Sequence, residues 1–380
     1  MKVLVAGDYC PRDRVARKIQ SGDTADLFAS VKETIEAADY AIVNFECTVV
    51  DGKAKPISKC GPNLKCQPEA VKVLKDGGFD CVTVANNHFR DFGDEGVITS
   101  LRYFKANGLE YVGGGEDIAM AESVLYKKFD DGVLAIINVC ENEFSIARPT
   151  RAGSAPLDAV KVYHRIQTAR NNSDYVLVIV HGGHEHYQLP SPRMKDLYRF
   201  FIEVGADAVV NHHQHCYSGY EVYNGKPIFY GLGNFLFDHS KKRSDIWNEG
   251  FMVTISFSPS TIDYVLSPYI QCDEKPIVDL MSKEKLVTFE KRIESLKETI
   301  LDVALFNQQY DKFVIQECKS VVAPFTPYNS VYLRAAAGRR YIPYLISKQK
   351  YADMLNYIEC EAHRDILIKA LNNRIDTINE

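Results

Sequence analysis

The sequence lacks any long apolar run and any Cys-x-x-Cys pair. No apolar segment approaches the ~20 residues that a membrane helix needs. The first residues, Met1–Asp8, enter a strand pattern directly and show neither the charged region nor the apolar stretch of a signal peptide. We therefore expect no membrane segment and a cytoplasmic location. In that compartment the 10 cysteines are expected to be reduced thiols, many of them small core residues.

Concentrated positive charge is also missing. The chain has 45 Lys and Arg against 50 Asp and Glu, a formal net charge of −5, and its basic residues gather only at 241–243 and 339–340. We expect no nucleic acid among its partners, because a phosphate backbone needs a basic surface. The glycine run Gly113–Gly115 lacks the spacing of a dinucleotide or phosphate loop, and no Gly-x-Ser-x-Gly elbow of a serine hydrolase is present.

Up to about residue 270, short Val- and Ile-rich runs alternate with helix-like segments. The runs that we predict as buried strands are Lys2–Ala6, Tyr40–Phe45, Phe79–Ala85, Val133–Val139, Tyr175–Val180, Asp207–Val210 and Ile228–Tyr230. The segments that we predict as helices are Ala25–Ala38, Pro68–Lys75, Asp94–Asn107, Asp158–Asn171 and Pro192–Val204. This alternation predicts an α/β fold with layered sheets.

The pattern changes after Asn234. Phe251–Phe257 and Thr261–Leu266 predict an antiparallel hairpin. A charge-rich run from Ser282 to about Lys319 predicts one long helix, and a second helical stretch covers 345–378. We therefore divide the chain into a domain of residues 1–275 and a helical C-terminal extension of residues 276–380. The extension could form a separate domain, cover the active-site face or make a homo-oligomer, and its sequence leaves these alternatives open.

Histidines cluster where the apolar runs break into polar turns. Seven of the 10 histidines follow three of the predicted strands, at 88, at 181, 184 and 186, and at 212, 213 and 215. Strand ends of a layered α/β sheet converge on one crevice, and neutral imidazole is a common ligand of transition metals. Three unrelated polar loops are the alternative. Repetition of the same placement favours a metal enzyme.

Oxygen donors stand at the ends of other predicted strands. Gly7-Asp8 ends the first strand, Asn44-Phe45-Glu46 ends the second, and Asn86-Asn87 precedes His88. Together with the imidazoles they make a mixed oxygen and nitrogen set suited to Mn²⁺, Fe²⁺ or Zn²⁺, unlike a thiolate-rich structural zinc site. One or two divalent ions could be held here, and an ion pair about 3.5–4 Å apart can hold a phosphoryl group while activating water.

The ordered series of motifs resembles the CapA family, the poly-γ-glutamate capsule biosynthesis proteins and relatives within the calcineurin-like metallophosphoesterase superfamily. The resemblance covers about residues 1–240. Its motifs are Gly7-Asp8, Asn44-Phe-Glu46, Ala85-Asn-Asn-His88-x-x-Asp91-x-Gly93, His181-Gly-Gly-x-Glu185-x-Tyr187, His212-His-Gln-His215 and Tyr230-Gly-Leu-Gly-Asn234-Phe-Leu-Phe237. The resemblance implies a four-layer α/β/β/α sandwich with the metal site at the strand ends.

The resemblance also assigns roles to single positions. The implied metal ligands are Asp8, Glu46, Asn87, His181, His213 and His215. His88 falls on the residue beside the leaving group. We place Glu185 on the substrate side as a catalytic acid or base, or as a group that orients a histidine. His184, His186 and His212 are expected to support the site or to lie at the surface, because consecutive side chains cannot all face one ion.

Three positions depart from the superfamily pattern. Cys10 occupies the position of a ligand histidine, and we expect it not to be a ligand. Glutamate replaces the usual bridging aspartate at Glu46, and Asn211 replaces the glycine before the last histidine pair. The loss of one ligand weakens the expectation of two tightly held ions.

Two functions from different classes follow. The first is a metal-dependent hydrolase of metallophosphoesterase type, which acts on a phosphoester or on a capsule- or exopolymer-related substrate, small molecule or polymer. The alternative is a non-catalytic accessory protein for the biosynthesis of a capsular polymer, poly-γ-glutamate or polysaccharide, because the family name records a pathway and not a reaction.

Overall fold

The computed structural model describes residues 1–52, 54–59, 61–322, 330–339, 341–342, 350–351, 354–355 and 358. The chain divides into two compact units, Met1–Tyr310 and Asp311–Glu380. The helical stretch predicted over 345–378 lies for the most part outside the described residues. None of the helices in the described part of the chain is both long and apolar enough to span a bilayer.

Strands and helices alternate along the first unit, as predicted. The strands are β1 (Lys2–Cys10), β2 (Tyr40–Phe45), β3 (Thr48–Val49), β4 (Lys65–Cys66), β5 (Cys81–Thr83), β6 (Glu110–Val112), β7 (Gly114–Gly115), β8 (Leu125–Phe129), β9 (Gly132–Cys140), β10 (Gly153–Ser154), β11 (Tyr175–His181), β12 (Ala208–His212), β13 (Tyr220–Tyr223), β14 (Lys226–Phe229), β15 (Asn234–Phe237), β16 (Glu249–Phe257), β17 (Ile262–Gln271) and β18 (Val278–Leu280). The helices are α1 (Asp13–Ser21), α2 (Lys32–Glu36), α3 (Glu69–Asp76), α4 (Gly93–Ala106), α5 (Ile118–Ala121), α6 (Ala159–Arg170), α7 (Pro192–Glu203), α8 (Lys283–Leu301), α9 (Val303–Val322) and, in the second unit, α10 (Val331–Gly338).

Two mixed sheets form the centre of the first unit. Within the described residues, the larger sheet has eight strands in the order β18-β17-β16-β1-β2-β5-β6, with β15 also paired to β1. The second sheet has six, in the order β13-β14-β12-β11-β9-β8. Strands β1, β2, β5 and β6 run parallel, and so do β9, β11, β12 and β14. The carboxyl ends of each parallel set therefore share one edge of their sheet.

Successive side chains of each strand point to opposite faces of its sheet, and the side chains on each face show which layer packs against it. Val3 and Val5 of β1 pack in the same core as Leu177 and Ile179 of β11, so this core lies between the two sheets. A second core joins the opposite face of the larger sheet to apolar side chains of α1, α3 and α4. A third joins the opposite face of the smaller sheet to α6 and α7. This order confirms the predicted four-layer α/β/β/α sandwich.

The C-terminal helices start within the first unit. Phe289 and Ile293 of α8 pack into the core between the sheets, and Ile300 packs against the third core. Lys195 of α7 donates a hydrogen bond to the carbonyl of Ile300. The long helix predicted from Ser282 to about Lys319 is wrong in one respect, since Asp302 has extended backbone and ends α8. The division of the chain after residue 275 stays a prediction.

Candidate metal centre

All of the predicted ligands come together at one edge of the two sheets. Strand register places Asp8 of β1 beside Asn44 of β2 and Asn234 of β15. In the second sheet, His181 at the end of β11 pairs with His212 at the end of β12. The predicted ligands are all buried, with relative exposures of 8% or less, and they are Asp8, Glu46, Asn87, His181, His213 and His215.

Their donor atoms form two triplets that share one carboxylate. Glu46, His181 and His213 offer ligand atoms that lie within 4.8 Å of one another, and so do Asp8, Glu46 and His215. Oε1 of Glu46 is 3.6 Å from Nε2 of His181 and 3.6 Å from Nε2 of His215. Asn87 joins the first triplet, because its Oδ1 is 3.1 Å from Nε2 of His181. Glu46 thus stands where a carboxylate that bridges two ions would stand.

The surroundings of the Glu46 carboxylate show whether a divalent cation fits this site. Neither of its oxygens has a hydrogen-bond partner among the described residues, and the side chain is fully buried. Burial raises the pKa of Glu46 well above its usual value, and the nearby charge of Asp8 raises it further. A buried carboxylate without a partner is costly, whereas a divalent cation offsets that cost directly. The residues present therefore fit one or two divalent ions.

Neighbouring polar groups hold the ligands in place. Asn44 donates a hydrogen bond of 2.8 Å to Oδ1 of Asp8, and its amide nitrogen is 3.2 Å from Nδ1 of His181. Oδ1 of Asn234 is 3.0 Å from Nδ1 of His215, which leaves Nε2 of that histidine facing Glu46. Such outer contacts fix the orientation and tautomer of a ligand histidine. Our sequence reasoning assigned no role to Asn44, although it lies two residues before Glu46, on the same face of the strand.

His212 is a supporting residue rather than a surface one. It is 1% exposed, and its Nδ1 is 3.3 Å from Oδ1 of Asp8. Burial on its own raises the pKa of Asp8, yet the neighbouring rings of His212 and His215 and the hydrogen bond from Asn44 bring it below the usual value. Burial and the neighbouring His215 lower the pKa of His213 to about 4, which is the direction expected for a buried imidazole. Burial also lowers the pKa of His181, so the rings of His181 and His213 favour the neutral form that a metal ligand must have.

The turn that carries the last histidine pair has strained backbone. His213 has φ of 98° and His215 has φ of 55°, values that residues other than glycine rarely adopt. Asn211, which replaces the usual glycine, braces this turn, with its amide nitrogen 2.9 Å from the carbonyl of Gly182 and 3.0 Å from that of Tyr230. Strain that the surrounding structure maintains is common at functional sites.

The predicted catalytic residues occupy different environments. His88 is buried, and its Nδ1 is 2.6 Å from Oδ2 of Asp91. Lys59, from the loop after β3, forms an ion pair with Asp91, and its Nζ is 3.1 Å from Nδ1 of His88. Glu185 lies exposed in the turn after His181, outside both triplets. No sequence pattern pointed to Lys59.

Cys10 stands next to the ligands but apart from the triplets. It is a buried free thiol, and it belongs to neither group of potential ligands among the described residues. Its neighbours include Cys47, the residue that follows Glu46, and the hydrogen bond between the two thiols contributes to the raised pKa of Cys47, after burial. That surrounding suits a small core residue better than a thiolate ligand.

Comparison with known proteins finds relatives among bacterial capsule proteins. Residues 2–239 match the family described as bacterial capsule synthesis protein PGA_cap. The capsule biosynthesis protein CapA of Bacillus anthracis is 30% identical over 252 residues, which are 64% of this chain and 61% of that protein. The PGA biosynthesis protein CapA of Bacillus subtilis (strain 168) is 33% identical over 235 residues, which are 61% of this chain and 62% of that protein. The chain therefore spans less than two thirds of the length of these curated relatives.

A solved structure, a novel phosphatase of Mycoplasma pneumoniae, aligns with a TM-score of 0.45 and 14% identity, over 72% of this chain and 95% of that one. The family match covers more than half of the chain and includes all of the candidate ligands. The protein therefore belongs to the PGA_cap family of bacterial capsule synthesis proteins.

Proposed function

We propose that this chain is a metal-dependent hydrolase of the metallophosphoesterase type, which acts on a phosphoester or on a capsule-related polymer. The proposal rests above all on Glu46, a buried carboxylate without a hydrogen-bond partner among the described residues that is shared by the two triplets. Asp8, Asn87, His181, His213 and His215 would complete the ligand set. The oxygen and nitrogen donors suit Mn²⁺, Fe²⁺ or Zn²⁺. When bound, such ions supply an activated water and neutralise charge on the group under attack.

The protein's own contribution centres on His88. Its Nδ1 donates to Asp91, so the ring orientation is fixed and Nε2 is the atom that exchanges a proton with the leaving group. Burial lowers the pKa of His88, and the hydrogen bond with Asp91 works against that shift. Lys59 forms an ion pair with Asp91 and so holds the carboxylate in place against the ring. Glu185, on the exposed rim, would meet the substrate rather than the ions.

The test is metal content and turnover in matched variants. Purified protein is analysed for bound metal, then assayed with Mn²⁺ on a phosphomonoester and a phosphodiester. Glu46→Gln should lose all bound metal together with turnover, and His213→Ala should lose the ion of its own triplet together with turnover. Glu33→Gln, which changes an exposed carboxylate of α2, should lose neither. Full metal content and turnover in His213→Ala would show that the assignment is wrong.

A non-catalytic accessory role in the synthesis of a capsular polymer is the second candidate. The names of the two Bacillus relatives favour it, since they refer to capsule and PGA biosynthesis and not to a reaction. Tight binding of poly-γ-glutamate by metal-loaded protein, without turnover of any phosphoester, would select this role. A cytoplasmic location and self-association through the C-terminal helices also stay predictions.

A further inference from the structure

Three arginines lie together beside the loop that carries His88. Arg90 follows His88 by two residues, and Arg148 and Arg151 lie on the loop between β9 and β10. That loop is fastened to the first, because the backbone nitrogen of Arg90 donates to Oγ of Ser145 at 3.1 Å. At the far end of the loop, the hydroxyl of Ser154 donates to the carbonyl of Asn86 at 3.1 Å. The fold thus fastens the loop that carries Arg148 and Arg151 to the loop that carries His88 and Arg90.

Positive charge in this cluster exceeds the negative charge that faces it. Arg90 donates twice to Oδ1 of Asp94, at 2.9 and 2.8 Å, so this carboxylate is already engaged. Arg151 uses one nitrogen to donate to the carbonyl of Ile146, and its Nε is buried without a partner among the described residues. Arg148 is exposed. Burial, together with the charges of Arg148 and Arg90, lowers the pKa of Arg151 to about 10.

A part-buried group of like charges is unfavourable unless an anion joins it. Guanidinium groups offer paired N–H donors that match the geometry of carboxylates and phosphates. We propose that Arg90, Arg148 and Arg151 form an anion-binding subsite, the arginine subsite, which holds a carboxylate or phosphate group of the substrate. This inference deepens the proposed function and rests on it for the identity of the ligand as a substrate.

Binding of small anions tests the arginine subsite without reference to catalysis. The probes are inorganic phosphate and tri-γ-glutamate, titrated calorimetrically at low ionic strength. Arg148→Gln and Arg151→Gln should each weaken binding roughly tenfold, the loss expected for one charge-assisted hydrogen-bonding group. Arg102→Gln is the matched control, because Arg102 is an exposed arginine of α4 that pairs with Asp51. Since Arg148 is exposed, its substitution does not endanger folding.

The two probes identify the source of the anion. Loss confined to phosphate assigns a phosphate group, and loss confined to tri-γ-glutamate assigns a carboxylate. The proposal is overturned if the wild-type protein binds neither probe. It is also overturned if Arg148→Gln and Arg151→Gln bind the probes as tightly as the Arg102→Gln control.

A second background separates this inference from the proposed function. The same titrations are repeated in Glu46→Gln protein, in which the candidate metal centre is disabled. Arginine-dependent binding that survives there supports the subsite. Turnover that survives in Glu46→Gln refutes the proposed metal chemistry, whatever the arginine variants do.

Discussion

The shared position of Glu46 predicts how the number of bound ions changes from variant to variant. Glu46 belongs to both triplets, whereas His213 and His215 belong to one each. Glu46→Gln should therefore lose both ions. His213→Ala and His215→Ala should each keep the ion of the other triplet. An amide of the same shape keeps the packing but cannot supply the bridging charge, so the difference reports on ligation and not on the core.

The magnitude follows from mass action. Free Mn²⁺ at a hundred times its Kd adds about 2.7 kcal/mol of stability for each site. The first unit, Met1–Tyr310, has an unfolding entropy of about 0.65 kcal/mol/K, from ~2.1 cal/mol/K per residue. Each occupied site should thus raise Tm by about 4 °C, or about 8 °C for both sites. The expected shifts are about 8 °C in the wild-type protein, about 4 °C in each histidine variant and below about 1 °C in Glu46→Gln.

Without metal, the order of stability should reverse. Burial raises the pKa of Glu46, so folding the ionised carboxylate is unfavourable once the pH exceeds the pKa of an unfolded glutamate. The neutral amide avoids this cost. Metal-free Glu46→Gln should therefore be at least as stable as metal-free wild type at pH 7, with an advantage that grows as the pH rises.

Calorimetric scans with and without Mn²⁺, paired with elemental analysis, measure both effects. Glu33→Gln serves as the control, because it removes an exposed carboxylate and should keep the full metal shift. At about a hundred times Kd, the mass-action relation gives a shift of about 8 °C for two sites. If Glu46→Gln kept this shift, the bridging position of Glu46 would be refuted. Loss of the whole shift in each histidine variant would instead refute the independence of the two triplets.

Three further outcomes are expected. Gly7→Ala should destabilise the protein by about 3 kcal/mol or more, because its Cβ would lie 1.9 Å from a backbone oxygen, whereas Gly52→Ala meets nothing within 4 Å and should fold normally in denaturant titrations. Asn44→Ala keeps every ligand but should weaken Mn²⁺ binding about 10–100-fold in competition with a chelator, because it orients two of them. The folded pKa of His213, about 4, lies below the unfolded value near 6.5. His213 should therefore contribute a stability loss of roughly 3 kcal/mol to metal-free protein between these pH values on acidification, and His213→Gln should remove this contribution.

The strands were predictable to the extent that their burial shows in the sequence. Tyr40–Phe45 was predicted with the bounds that the structure has, because the strand is buried along its whole length. The helix predicted over Ala25–Ala38 is wrong for most of its length, since only Lys32–Glu36 is helical. The carbonyl of Leu27 accepts a hydrogen bond of 3.0 Å from Val278, more than two hundred residues away. Local periodicity carries no information about such a partner.

The sequence contains a signal for the break between α8 and α9, but a stronger pattern favoured the opposite prediction. Oδ1 of Asp302 accepts a hydrogen bond of 3.0 Å from the backbone nitrogen of Leu305, as the first residue before a helix does. In the sequence, the charge pairs at i,i+4 spacing favoured one continuous helix. Aspartate within such a pattern fits both interpretations.

The candidate site could be predicted from the sequence for a different reason. Its ligands stand in short motifs at strand ends, so the order of motifs predicts which side chains meet. Asn44 and Asn234, which hold the ligands, stand in the same motifs, but the motifs do not predict which ligand each of them contacts. Lys59 comes from an irregular loop, and the contact of Asn234 with His215 depends on β15 lying beside β1. Only the folded chain shows these relations.

The position of β1 in the larger sheet has a consequence for the order in which the chain can fold. β1 holds Asp8 and pairs with β2, which follows it closely, but its other neighbours are β15 and β16, far along the chain. Met1 and Phe257 exchange backbone hydrogen bonds at the end of this pairing. During synthesis, one edge of β1 thus stays unpaired until more than two hundred further residues have left the ribosome. An unpaired apolar edge favours aggregation. The candidate metal centre can accordingly be completed only after β15 and β16 have been synthesised, and chaperones that shield strand edges should matter most for β1.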